Sequence, residues 1–142
     1  MTEPCVFCLI LAGEIPSIRV YEDDDTLAFM DIHPVHPGHT LVIPKAHHPN
    51  LFEIPDGVIA STAQTAAKIG RAIQQALNPP GMNLLQCNGE AAEQSVQHFH
   101  MHLIPREMGD GMTMNWEMIK GDIDAIQALA ERIRAQLAEN GA

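Results

Sequence analysis

Seven consecutive residues, His98-Phe99-His100-Met101-His102-Leu103-Ile104, alternate imidazole with apolar side chains. A period of two belongs to a strand, where residues i, i+2 and i+4 share one face. The run therefore predicts a strand, over 96–104, whose Phe99, Met101 and Leu103 enter a core. Its three imidazoles are aimed at a single site on the other face. Such a row suits a surface that moves protons or attacks phosphorus near neutral pH.

The rest of the chain supplies elements to pack against this strand. Residues 5–15 predict a short helix stopped at Gly13, with Pro16 beyond it. Segments 19–22 and 26–31 predict a hairpin around the acidic turn Asp23-Asp24-Asp25. Two prolines and a glycine make 34–38 a loop. His39–Ile43 predicts a strand ended by Pro44, and 82–86 another. Val58, Ala63, Ala66, Ile69, Ile73 and Leu77 recur at helical spacing, so 57–77 predicts a long amphipathic helix, a natural interface candidate. Ile123, Ile126, Ala130, Ile133 and Leu137 predict a final amphipathic helix with Asp122 as its N-cap. The Met- and Gly-rich segment 107–118 carries no clear pattern. Strands joined by tight turns, with two long helices, predict an α+β fold in which helices pack on one face of an antiparallel sheet.

At 142 residues the chain predicts one domain, 1–142. A formal charge of −10, from 18 acidic and 8 basic residues, disfavours a nucleic acid polymer as partner. It leaves room for a small phosphorylated ligand held locally. No apolar run reaches membrane-span length, so no membrane partner is expected. The N-terminal residues lack the pattern of a signal peptide, and a cytoplasmic location is the default expectation. Three cysteines, Cys5, Cys8 and Cys87, argue against a disulfide framework.

Two chemistries fit the histidine row. Histidines at i, i+2 can grip a catalytic metal with a third ligand from elsewhere. Alternatively, an imidazole nitrogen can attack phosphorus and hold a covalent P–N intermediate. That nitrogen must be unprotonated, so the other ring nitrogen must keep its proton against an acceptor. His39, delivered by the Pro37-Gly38 turn, adds a fourth imidazole. Cys5 and Cys8, spaced C-x2-C, are half of a common zinc site.

The row resembles the His-x-His-x-His signature of the histidine triad family of nucleotidyl hydrolases and transferases. Glu14-Ile15-Pro16, Leu27–Ile32, Pro37-Gly38-His39, Leu41–Lys45 and Gln94-Ser95-Val96 also resemble that family's blocks, in its order. The likeness spans a core of 4–106, with 107–142 as a C-terminal extension, and is nearest to a bacterial-style Hint-like branch. It implies a HIT-like fold: a five-stranded antiparallel sheet with helices packed on one face, plus a C-terminal helix.

The resemblance also implies a function: hydrolysis of nucleoside 5′-monophosphate derivatives, a phosphoramidate or a dinucleoside polyphosphate, at the α-phosphate. His98, His100, His102 and His39 form the implied catalytic group. His100 would be the nucleophile. His102 would contact the phosphate, and its carbonyl would fix the His100 tautomer. His39 would orient the pair and support protonation of the leaving group. Gln94, Ser95 and the backbone amides of 89–95 would bind phosphate oxygens, and Asp31 the ribose hydroxyls. Phe7, Ile10, Phe29 and Ile32 would line an apolar slot for the base. Cys87 stands where relatives usually place an amide residue, a loss that Asn88 partly compensates. Glu93 stands where glycine is usual. Cys5, Cys8, His47 and His98 would hold a structural zinc, with no organic cofactor, and a homodimer is implied. Two other functions stay open at this level: a nucleotide-binding or interaction module with incidental hydrolysis, and a metal-dependent phosphohydrolase with the row as ligands.

Overall fold

Alternating apolar residues build a sheet, and helical spacing builds the segments that cover it. The computed structural model describes residues 4–141 and divides after Asp110 into two compact units. The first holds α1 (Val6–Leu11), β1 (Arg19–Glu22), β2 (Thr26–Met30), β3 (Thr40–Pro44), α2 (Asp56–Leu77), β4 (Gly81–Gln86), a 3-10 turn (Glu90–Ala92) and β5 (Met101–Arg106). The five strands form one antiparallel sheet in the order β1-β2-β3-β5-β4.

Each face of the sheet carries its own apolar cluster. Ala28, Val42, Met101 and Leu103 pack with Phe99, Ile54 and with Ala66 and Ile69 of α2. Leu27, Phe29, Leu41 and Ile43 point the other way and pack with Phe7 and Ile10 of α1. The long helix thus covers one face, as expected, and the short helix closes part of the other. Burying each of the larger of these side chains contributes roughly 1.5–3 kcal/mol. The Thr26 and Thr65 hydroxyls, 2.8 Å apart, pin α2 to β2 inside this core.

Local chemistry sets the ends of these elements. Gly13, at φ +78, closes α1. The Glu14 N–H donates to the Leu9 carbonyl at 2.9 Å and the Gly13 N–H to the Ile10 carbonyl at 3.0 Å, a Schellman arrangement. Asn78, at φ 48, ends α2 ahead of Pro79-Pro80. The Asp23 carboxylate accepts from the Asp25 and Thr26 amides and the Thr26 hydroxyl, which closes the β1–β2 turn.

The second unit contains α3 (Ile123–Glu139), whose N-cap Asp122 accepts from the Asp124 N–H at 3.1 Å. Its stripe of Ile123, Ile126, Ile133 and Leu137 is exposed. Among the described residues no helix is long and apolar enough to cross a membrane.

Candidate active site

The sheet ladder reaches the histidine run only at Met101, later than the alternation predicts. Upstream of that point the chain bonds elsewhere: the Phe99 N–H donates to the His48 carbonyl at 2.7 Å. The alternation itself survives. Phe99 is fully buried beside Met101 and Leu103, while the Phe7 ring meets the His98 and His100 rings edge-on at 5.8 and 5.1 Å. The three imidazoles do not converge on one site, however. His98 turns its ring toward Cys5, Cys8 and His47, and only His100 and His102 stay together, ring centroids 4.9 Å apart.

His100 is 3% exposed, and its Nδ1 lies 2.7 Å from the His98 carbonyl. A carbonyl only accepts, so Nδ1 carries the proton and Nε2 holds a lone pair. The carbonyl that fixes this tautomer belongs to His98, not to His102 as the resemblance implied. Among the described residues no side-chain nitrogen or oxygen sealed from solvent lacks a partner. The unpartnered Nε2 of His100 therefore reaches solvent. Burial holds His100 below the usual histidine range, against the opposing pull of the His98 carbonyl and Asp31. The ring is thus neutral at neutral pH, the form that can act as a nucleophile.

His39 is delivered by a turn only glycine fits. Gly38 sits at φ +92, and a Cβ there would meet Pro105 Cγ at 2.9 Å and Leu77 Cδ1 at 3.0 Å. The His39 Nε2 lies 2.9 Å from His102 Nδ1 and 3.6 Å from Asp31 Oδ2. The Val35 N–H donates to His39 Nδ1 at 3.2 Å. Burial lowers His102 to about 4 and also lowers His39, with Asp31 opposing in both. Asp31 is itself oriented by the His33 N–H, 2.8 Å from its Oδ1.

The expected substrate contacts divide. Gln94 is buried, and its side chain is spent on backbone: Oε1 accepts from Gly89 N–H at 2.8 Å, and Nε2 donates to the Pro49 and Val96 carbonyls at 2.6 and 2.9 Å. No Gln94 side-chain N–H is left for a phosphate, so the residue builds the loop. The amides of Gly89, Ala92, Glu93 and Gln94 are engaged within this loop too, which removes most of the expected amide cradle. Ser95 is exposed, and its amide and hydroxyl make no hydrogen bond among the described residues. The Asn88 amide joins Gln86 and the Leu51 N–H, bracing two loops.

Phe7, Ile10 and Phe29 are buried together, whereas Ile32 is 70% exposed and stands apart from that cluster. Glu93 adopts φ 63, which explains why glycine suits the position. Lys45 and Arg106 are engaged with Glu22 and Asp110.

Cys5, Cys8, His47 and His98 form a separate cluster beside a cavity of about 960 Å³ that Ser95 and Val96 also line. Sulfur–nitrogen separations are 3.4 Å (Cys5–His98), 3.4 Å (Cys8–His47) and 3.7 Å (Cys8–His98), and the two Nδ1 atoms are 3.1 Å apart. A tetrahedral ion with metal–sulfur and metal–nitrogen bonds of about 2.3 and 2.0 Å needs edges of about 3.5 and 3.3 Å. The donor set fits. His98 Nε2, 2.8 Å from the Pro44 carbonyl, carries that ring's proton and leaves Nδ1 as the ligand atom. Sequence patterning missed three decisive groups, the Val35 amide and the Pro44 and His98 carbonyls, because backbone atoms leave no mark in residue type.

Two imidazoles pinned by backbone, a third tied to a Cys2His cluster, and a five-stranded sheet beneath them form a combination that comparison with other proteins can test. The HIT domain model matches residues 12–109. "Protein hit" of Bacillus subtilis is 45% identical over 141 residues, covering 97% of each chain. The crystal structure of a HIT family member from that organism superposes with a TM-score of 0.87, covering 94% of this chain and 96% of the other. Adenosine 5′-monophosphoramidase HNT1 of Candida albicans is 36% identical over 140 residues, 95% of this chain and 92% of its own. A Zn-bound histidine triad family protein from Mycobacterium smegmatis has a TM-score of 0.73 at 38% identity, covering 96% of both chains. With a family model spanning most of its length and relatives well above 30% identity over nearly all of it, this chain belongs to the HIT domain family.

Proposed function

We propose that the protein hydrolyses nucleoside 5′-monophosphate derivatives at the α-phosphate, a purine nucleoside phosphoramidate or a dinucleoside polyphosphate, through a nucleotide covalently held on His100. The observation that carries this is the His100 ring itself: Nδ1–H held by the His98 carbonyl at 2.7 Å, and an Nε2 that has no hydrogen-bond partner among the described residues and is not sealed from solvent. The Nε2 lone pair attacks the α-phosphorus. As that P–N bond forms, the bond to the amine or phosphate leaving group breaks, and the departing atom keeps its electron pair, accepts a hydrogen bond from the His39–His102 pair and takes its proton from solvent. Water then attacks the same phosphorus, the bond to His100 breaks, and the water's proton passes to solvent. Asp31 is assigned to the ribose hydroxyls, Ser95 to a phosphate oxygen, and Phe7, Ile10 and Phe29 to the wall of the base slot. Family membership and relatives named as adenosine 5′-monophosphoramidases support this assignment.

The Cys5, Cys8, His47 and His98 cluster is assigned a structural zinc; a closed four-coordinate ion anchors His98 and takes no part in the displacement. A homodimer is assigned to the β4 edge, where the outer strand has no further neighbour among the described residues and exposes Leu84 and Leu85 beside a groove of about 430 Å³ against α2.

The test is His100→Ala. Hydrolysis of adenosine 5′-phosphoramidate is expected to fall by about a thousandfold or more while AMP still binds. Mass spectrometry of quenched wild-type reactions is expected to find a nucleotidyl adduct on His100. Turnover undiminished in the variant overturns the assignment.

A further inference from the structure

We propose that the backbone N–H of Val35 sets the proton positions of the His39–His102 pair, so that His102 presents an Nε2–H donor beside the unprotonated Nε2 of His100. The inference rests on the function proposed above and specifies which nitrogen faces the departing atom as a hydrogen-bond donor.

The two backbone groups that anchor these rings have only one hydrogen-bonding role each. An amide N–H can only donate, so His39 Nδ1, 3.2 Å from Val35 N, must accept. A neutral imidazole carries one proton, which places it on His39 Nε2. That nitrogen lies 2.9 Å from His102 Nδ1, which must then accept. The His102 proton is left on Nε2, an atom with no partner among the described residues. At the far end a carbonyl can only accept, and it fixes the opposite tautomer on His100. Two rings 4.9 Å apart are thereby given opposite polarity by two backbone groups, one offering an electron pair and the other an N–H. In-line displacement at phosphorus needs both.

The Val35 amide is held where this requires. The His39 N–H donates to the His36 carbonyl at 3.1 Å, the Asp31 N–H to the His39 carbonyl at 3.0 Å, and the His33 N–H to Asp31. The loop is therefore closed on both sides of Val35. Side-chain chemistry is not involved, since the Val35 side chain is 54% exposed. The same tautomer bears on the second group of potential metal ligands, Asp31, His39 and His102, whose donor atoms lie within 4.8 Å of one another. With its proton on Nε2, His39 has no lone pair to offer a cation there, which counts against a metal-dependent hydrolase built on this group.

Long-range 15N–1H correlation of the wild-type protein reads the tautomers directly. Nε2–H is expected on both His39 and His102, and Nδ1–H on His100. Val35→Pro deletes the amide hydrogen; it is expected to give mixed tautomers at His39 and to slow single-turnover cleavage about tenfold, with AMP binding retained. Val35→Ala keeps the amide and is expected to keep the tautomer pattern, which separates the N–H from the side chain. Nδ1–H on wild-type His39 overturns the proposal. So does a folded Val35→Pro protein with unchanged tautomers and rate. If that variant does not fold, the wild-type spectrum decides alone. Trapping on His100 is independent of these spectra: an adduct with the wrong tautomers sinks this inference only, and the right tautomers without an adduct sink the proposed function only.

Discussion

Replacing Gln94 with methionine keeps the side chain's length and removes its polar atoms. Three hydrogen bonds are lost, to the Gly89 amide and to the Pro49 and Val96 carbonyls. Each contributes about 1 kcal/mol net, and a buried group left unsatisfied costs about 1–3 kcal/mol. Gly89, Pro49 and Val96 are only partly buried, so water can replace some of what is lost. The expected destabilisation is about 3 kcal/mol. For a chain of this size that corresponds to a fall in melting temperature of about 10 °C. Urea and thermal unfolding of ligand-free protein, at fixed protein and zinc concentration, measure it. A protein that unfolds at the wild-type midpoint yet binds AMP weakly would refute the reasoning, because Gln94 would then serve the ligand and not the loop.

Glu93→Gly is expected to stabilise the protein by about 1 kcal/mol, since φ 63 strains any residue with a Cβ, and a denaturant midpoint reads this directly. Cys8→Ser is expected to lose bound zinc by elemental analysis and to lower the melting temperature by about 10 °C or more; chelation of the wild type should lower stability more than the chemical step. On acidification, His102, folded near 4 against about 6.5 unfolded, binds its proton more readily when unfolded. Its contribution is whole above about pH 6.5 and is lost as pH falls toward 4, about 3 kcal/mol in an acid-unfolding series. Asp23 follows at lower pH. Partial burial raises its carboxyl, but bonds from Asp25, Thr26 and Tyr21 outweigh this and hold it at about 2, so its support is present above about 3.8 and disappears as pH falls through 2.

The elements legible in the sequence were those whose period is enforced by a core. Val58, Ala66 and Ile69 face the sheet at helical spacing, and Leu27, Phe29, Leu41 and Ile43 share one sheet face, so α2, β2 and β3 fall where their patterns place them. The histidine run misled about its first half. Alternation dictates which side a residue takes, yet not whether its amide joins a ladder, and Phe99 bonds to His48 outside the sheet. The grouping of side chains was legible where it rests on residue type: Cys5 and Cys8 lie beside His47 and His98, and His39 and His100 lie beside His102. The role of Gln94 was not legible, because an amide that braces a loop and an amide that binds a ligand are the same residue in a sequence. At His98 the ring's place beside the cysteines was legible, but the bond from the His100 ring to its carbonyl was not.

The hydrogen-bond partners at the two ends of the histidine chain are main-chain atoms, the Val35 amide and the His98 carbonyl. Grafting the four imidazoles onto another scaffold would therefore copy the shapes without the polarity. A transplant has to carry the peptide units of 34–39 and 98–100 in their own conformation. By the same token, a survey that truncates side chains one at a time would pass over both anchors; proline at 35 would expose the amide, and a backbone ester after 98 the carbonyl.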